Sequence, residues 1–467
     1  MFGDAKLVMR GGFGIFYDIE DGALNLQFGG QPPFGAVSNF FPPSYAGVTG
    51  DVVSDPFTPF GLQNPFPFAS AGKVGTFLDP KIAFAYTTFP HFRTPYSENF
   101  NYGFQWQATR DTMVEAVYVG SLGRKLISSG ETNFPNPTIM QEQLAQFGFV
   151  NPDCARRQIT SGADIAQCTG GISPIDPNGT ATGATQLLTN FSNGLSDSSQ
   201  FQLTVDKRFS RHFALRGAYT LAKTIDLTSG FRSRSGEYTD PLDPRLDRAL
   251  ADFDTPQRLV ISGIWELPFA YGIHSDGILK KIADGWQFSG IASFQKGQPF
   301  TLYSNGNSSE QNNFLDRPDV VGPIRRVNPR NPNPNPGQGG FSSDCALGQG
   351  VPTEGNFWFD PTNLVCNPCP NSDPTCSQGE VGVPLFTFGT LGRNALRGPG
   401  INNFDLSLSK KIPVTESKYF EFRSEFFNAF NHAQFLNPDN KGFDSTFGQI
   451  STDRGQRIIQ FGLKFYY

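Results

Sequence analysis

The chain has 467 residues, among them 47 Phe, 51 Gly and 36 Pro, with a formal net charge of −5 and only 17% charged residues. A slightly acidic chain gives nucleic acid no electrostatic footing, and a total of four His and four Met argues against a multi-histidine metal centre. No run of about 18 apolar residues offers a membrane-spanning helix. Yet the mean hydropathy is negative, at −0.32. An aromatic-rich, polar-on-average sequence fits strands whose apolar and polar residues alternate and cancel, as in a membrane-spanning β-barrel.

Taken in order, Leu7, Met9, Phe13, Ile15 and Tyr17 alternate with Lys6, Arg10 and Asp18. Alternation of this kind places one apolar and one polar face on a strand. A long Pro/Phe/Gly-rich region, 19–95, follows, and loops of that length are uncommon in compact soluble domains. A hairpin comes next: Phe100, Tyr102, Phe104 and Trp106, a turn at Arg110-Asp111-Thr112, then Val114, Ala116 and Tyr118. After a polar region at 124–197, a second hairpin holds Phe201, Leu203 and Val205, turns at Ser210-Arg211, and returns through Phe213, Leu215, Tyr219 and Leu221. Leu259, Ile261, Trp265 and Leu267 mark another strand, and a connection at 268–284 contains one helical turn at Ile278–Ile282. Trp286, Phe288, Ala292 and Phe294 follow. The longest insertion, 298–400, includes the run Asn328–Pro336, whose prolines exclude helix and central strand. Phe404, Leu406 and Leu408, a turn at Thr415-Glu416-Ser417, and Phe420, Phe422, Phe426 and Phe430 give two more strands. The last stretch, Gln456–Tyr467, carries Ile459, Phe461, Leu463, Phe465 and Tyr467 on one face.

The expected fold is all-β: about ten strands of an antiparallel transmembrane barrel. The connections alternate long and short, and barrels place long loops outside and short turns on the periplasmic side. That phase directs the last strand inward, as a closing strand with Ile459, Phe461, Leu463, Phe465 and Tyr467 toward outer-membrane lipid. A Lys or Arg facing lipid at midplane costs about 2–4 kcal/mol. On the apolar faces charge appears only near strand ends, such as Lys207 and Lys410. The opposite faces carry charge throughout, and Arg216, Arg258, Glu421, Arg423 and Glu425 are the candidates for lining the lumen.

Other residues admit a chemical reading and a plainer one. Cys366-Asn367-Pro368-Cys369 with Cys345 and Cys376 has only one Cys-x-x-Cys, which is poor zinc spacing. Outside the cell, disulfides account better for them. Cys154 and Cys168 read as a second loop staple, and the pairing among Cys345, Cys366, Cys369 and Cys376 stays open. Asp240, Asp243, Asp247, Asp252 and Asp254 crowd one extracellular segment. Calcium takes several carboxylates, but interleaved arginines favour ion pairs that pin a loop to the rim. No Ser-His-Asp constellation, phosphate loop or cofactor motif stands out, so an enzyme and a bound cofactor are not expected.

Several motifs resemble TonB-dependent outer-membrane receptors of the Oar-like barrel type. They are Arg10–Asp18, Phe92–Tyr96, Val117–Leu126, Asp252–Arg258 with Trp265–Pro268, and Glu425–His432 with Phe447–Ile450 before the closing strand. The resemblance implies a ~22-stranded barrel filled by an N-terminal plug and coupled through a TonB box to an energising complex, importing a bulky extracellular ligand. Residues 1–467 are then expected to be the C-terminal portion of such a barrel, without recognisable plug, TonB box or signal peptide. A passive porin or adhesion-type barrel is the alternative, and a secreted soluble β-protein a third.

Overall fold

The computed structural model describes residues 6–18, 84–132, 186–230, 238–270, 277–304, 316–331, 355–365, 388–415, 417–442 and 446–467, with isolated positions besides. The long strands are β1 (Leu7–Tyr17), β3 (Tyr96–Gln107), β4 (Thr112–Glu131), β5 (Gln186–Ser210) and β6 (Phe213–Asp226). They continue with β8 (Gln257–Glu266), β9 (Trp286–Gln295), β14 (Ile401–Pro413), β15 (Tyr419–Phe427) and β16 (Ile458–Tyr466). Short strands lie between them: β2 (Phe84–Thr88), β7 (Ala249–Leu250), β10 (Pro299–Phe300), β11 (Asp319–Val320), β12 (Leu364–Val365) and β13 (Leu396–Arg397). One helix, α1 (Ile278–Ala283), occupies the connection where the sequence places a helical turn.

The long strands form one antiparallel meander in the order β1-β3-β4-β5-β6-β8-β9-β14-β15-β16. Each pairs with the next long strand in the chain, as expected of a barrel wall. Among the described residues β1 and β16 each have a single neighbour, so the sheet is open. The 9 residues of β16 and 13 of β14, at ~3.3 Å per residue and ~40° tilt, span roughly 23–33 Å, which brackets an apolar band of ~25 Å.

Register converts the alternation of single strands into continuous faces, because directly paired residues project to the same side. One row runs Met9, Phe104, Ala116, Leu203, Tyr219, Leu259 and Phe294. Another runs Phe213, Trp265, Phe288, Leu408, Ser424 and Phe461. A one-residue slip anywhere would turn a strand's apolar set to the wrong side. Many of these side chains are exposed, among them Met9, Phe13, Trp106, Trp265 and Phe461. Their contiguity far exceeds the scattered apolar surface of a soluble protein. The family resemblance implies lipid there, on the outer face.

Lys207 and Lys410, on the apolar face, lie at its short-turn border and are held. Lys207 Nζ donates to Ser210 Oγ at 2.6 Å and Ser210 O at 3.1 Å, and sits 4.0 Å from the centre of the Phe213 ring. Lys410 Nζ donates to Ile282 O at 2.9 Å and Asp284 O at 2.6 Å, at the C-terminal end of α1. The short turns are equally well ordered. Arg211 and His212 both have positive φ (51° and 72°), the two-residue hairpin geometry that matches strand twist. Asp111 joins this turn to its neighbour, accepting from Ser210 and Thr109 hydroxyls and standing 3.5 Å from Lys207 Nζ. Those hydroxyls, with the ammonium, hold its carboxyl well below the usual carboxylate range. The lock's contribution is present above the ordinary carboxylate pKa and is lost as pH falls through the depressed one.

At the long-loop side the structure departs from expectation. β4 and β5 have 20 and 25 residues and continue through the ends of the region read as polar loop. Their extensions carry Ser128, Ser129, Glu131, Thr189 and Asn190, all buried. The absence of apolar alternation hid them, for they are covered by protein rather than lipid. Tyr238 N donates to Ser129 O at 2.8 Å, and its hydroxyl to Asn193 Oδ1 at 2.8 Å; burial pushes the Tyr238 phenol up to about 12. β15 ends at Phe427 rather than Phe430, because Asn428 turns with φ 48° and its side chain ties His432.

The aspartate-rich segment is fastened by arginines from the distant insertion. Arg317 Nη1 meets Asp247 at 3.1 Å and Arg397 Nη2 meets Asp254 at 2.5 Å. Arg393 pairs with buried Asp226 and lies 3.4 Å from Asp252. Nearby, Phe300, Leu302, Trp358, Phe359, Leu364, Leu391, Phe447 and Ile450 form a small apolar core outside the wall. Ion pairs with the interleaved Arg245, Arg248 and Arg258 were expected; Arg245 does meet Asp243 at 3.1 Å, while the cations for Asp247, Asp252 and Asp254 come from the insertion.

Two outcomes test this architecture. In the full-length protein, Ile261→Arg on the apolar face should destabilise by about 2–4 kcal/mol, while Ser293→Arg on the other face should have a small effect, by denaturant titration in lipid. Arg393→Met should leave Asp226 buried and unpaired, at about 3–5 kcal/mol. Hydrogen exchange should then speed up across 224–256, and removing the carboxylate too, with Asp226→Leu, should recover part of the protection.

Candidate functional site

The inner face of the sheet is the candidate site. Glu421, Arg423 and Glu425 alternate along β15 and so share that face. Arg423 Nε donates to Glu421 Oε1 at 2.6 Å, and its Nη1 lies 3.7 Å from Glu425 Oε1. Glu421 stands between Lys411 and Lys464 in the register, and Glu425 between Ser407 and Gln460, whose amide donates to it. This is a self-neutralised ladder running down one strand.

Arg216 is placed differently. It stands opposite Asp206 on β5 and Ser262 on β8. Among the described residues neither Arg216 nor Asp206 has a hydrogen-bond or ion-pair partner for its side chain. Both line a cavity of about 530 Å³ on the inner face, with Ser262, Ser289, Asp405 and Glu425. Asp405 accepts from Asn403 Nδ2 at 3.0 Å and Asn428 N at 2.9 Å, which ties the cavity wall to the turn ending β15. The cavity lining also includes Ile264, Ile291 and Phe427, so the inner face is not uniformly polar. A lining of charged and apolar side chains together suits something amphipathic: a ligand or a covering protein segment.

The other candidates separate from this cluster. Arg258 faces inward further up the sheet, opposite Thr220 and Gln295, outside the cavity. Ile459, Phe461, Leu463, Phe465 and Tyr467 lie exposed on the other side of β16. Phe465 packs on Phe420 with centroids 4.7 Å apart, and Tyr466 stacks on Tyr419 at 4.6 Å. Cys154, Cys168, Cys345, Cys366, Cys369 and Cys376 lie outside the described residues. The same is true of most of the aromatic-rich region 19–83. Among the described residues no group of three or more His, Cys, Asp or Glu is placed to hold a metal ion, and Asp247, Asp252 and Asp254 each face an arginine.

Arg317, Arg393 and Arg397, which order the outer mouth, were missed from sequence. Their one signal is complementarity: arginines near both ends of the 298–400 insertion, matching an aspartate-rich segment that lies well before it in the chain.

The chain resembles several solved outer-membrane proteins in shape. The outer-membrane transporter YddB from Escherichia coli matches at a TM-score of 0.37 and 8% identity, over 83% of this chain and 34% of that one. The siderophore receptor PiuA from Acinetobacter baumannii matches at 0.34 and 8%, over 80% and 29%. The ferripyoverdine receptor of Pseudomonas aeruginosa matches at 0.32 and 8%, over 80% and 28%. The chain thus spans about a third or less of the length of these structures. No curated protein matches it. The family of outer membrane beta barrel domains matches residues 1–460. With its antiparallel meander, its apolar outer face and its charged inner face, this chain belongs to that outer membrane beta barrel domain family.

Proposed function

We propose that residues 1–467 are the C-terminal portion of the barrel of a TonB-dependent receptor that imports a bulky ligand. The carrying observation is the inner-face cavity, where Arg216 and Asp206, unpartnered among the described residues, stand beside Ile264 and Ile291. An open water channel would leave those apolar side chains wet, whereas a plug segment would cover them and pair with the charges. The motifs from Arg10–Asp18 to Glu425–His432 support the same reading. The proposed partners are outer-membrane lipid on the outer face, a plug of the same protein on the inner face, an energising complex of TonB type, and an extracellular ligand. β16 is proposed as the closing strand, with its unpaired edge meeting the first strand of the barrel, since an exposed edge within the membrane leaves backbone groups unsatisfied.

Two measurements test this. Full-length protein in planar bilayers should be electrically silent; a steady ohmic conductance would overturn the plugged receptor in favour of a passive porin. Deleting Tyr466 and Tyr467 from the full-length protein removes the Tyr419 stack and the terminal aromatic girdle residue. It should abolish the heat-modifiable band on gels, and a normal band would rule out the closing role.

A further inference from the structure

The outer wall has a defect next to its apolar band. β8 begins opposite Leu221 of β6, and β7 takes over as the partner of β6 only at Ile225. Between them the segment 251–256 swings away from β6. It is held by Ala222 N to Pro256 O at 3.0 Å, Thr224 N to Asp254 Oδ1 at 2.7 Å and Ala251 N to Thr224 O at 3.0 Å. The result is a cleft of about 370 Å³ whose lining includes Lys223, Arg248, Arg397 and Asp254, with Ile225 and Leu250 as apolar wall.

The level of this cleft is set by register. Lys223 is paired with Ser199, eight residues along β5 from Lys207. At ~3.3 Å per residue and ~40° tilt that is roughly 20 Å across the wall. Between those two levels the outer positions of β5 and β6 are Phe201, Leu203 and Val205, and Leu215, Gly217, Tyr219 and Leu221, none of them charged. Lys207 marks the short-turn border of the band, so Lys223 marks its long-loop border, where headgroups begin. Leu250 shares the face of Ile225 and Lys223, and Arg248 lies two residues before it, on the same side.

The charge at this border is cationic on balance. Arg397 is matched by Asp254 at 2.5 Å. Asp197 is shared by Arg124 at 2.8 Å and Arg248 at 4.0 Å, and Glu98 stands two strands away on the same level. Lys223 has no hydrogen-bond or ion-pair partner among the described residues and is exposed. We propose that this cleft binds the phosphate of a phosphorylated lipid headgroup in the outer leaflet, with Lys223 and Arg248 as its cations and Ile225 and Leu250 against the adjoining chain. A free phosphate has the same charge, but it has no use for the apolar wall or for a position at the border of the band.

The test uses full-length protein purified in mild detergent, with retained phosphorylated lipid measured by mass spectrometry. The Lys223→Gln/Arg248→Gln protein should retain about tenfold less than wild type, each basic residue at a membrane surface adding its share of attraction. Lys223→Arg should retain wild-type amounts, and so should Arg245→Gln, an exposed cation outside the cleft. Heat-modifiable mobility establishes that each variant is folded. Equal retention by the folded double variant would overturn the site. Inorganic phosphate is titrated calorimetrically into delipidated protein as the second arm. Phosphate binding that depends on Lys223 and Arg248, with no lipid retained by wild type, would overturn the lipid as its source.

Discussion

Backbone hydrogen bonding in hydrocarbon governs this structure. Each peptide group in the apolar band must be satisfied by a neighbouring strand, because no water reaches it. Antiparallel pairing of sequential strands meets that demand with short turns, and the meander from β1 to β16 is the outcome. Once pairing is obligatory, register follows from the two faces, since only one alignment keeps the Met9–Phe294 row and its counterparts on the same side. The unpaired edges of β1 and β16 are the places where the demand is unmet among the described residues.

The border of the band is where the wall stops being regular. On the short-turn side, Lys207 and Lys410 turn their ammonium groups onto backbone carbonyls instead of lipid. On the long-loop side the strands outrun the membrane, and protein replaces lipid as their cover. Tyr238 closes over the β4–β5 extension, and Arg317, Arg393 and Arg397 tie the aspartate segment to the insertion. Buried ion pairs of this kind contribute little net stability compared with apolar packing, yet breaking one is expensive. They suit a mouth that must hold one loop arrangement. The cleft at Lys223 lies where these two regimes meet.

The inner face combines a neutralised ladder at Glu421–Arg423–Glu425 with charges at Arg216 and Asp206 that have no partner among the described residues. The first is complete within two strands. The second adjoins apolar lining and calls for an occupant, and this asymmetry within one face supports the proposed plugged receptor.

All the long strands were legible in the sequence, as was the helical turn at α1. The reason is that alternation is a local signal, repeated every two residues and enforced by a uniform solvent. The strand extensions to Glu131 and from Gln186 were not legible, because protein covers them and the sequence there need not alternate. Nor were the partners of Asp247, Asp252 and Asp254. The sequence pointed to nearby arginines, while the structure supplied Arg317, Arg393 and Arg397 from 70 to 143 positions away. Nor was it legible that Arg216 and Glu425 meet in one cavity while Arg258 does not. Which residues face lipid is decided along a single strand; which charges meet is decided only when strands far apart in the chain are laid side by side.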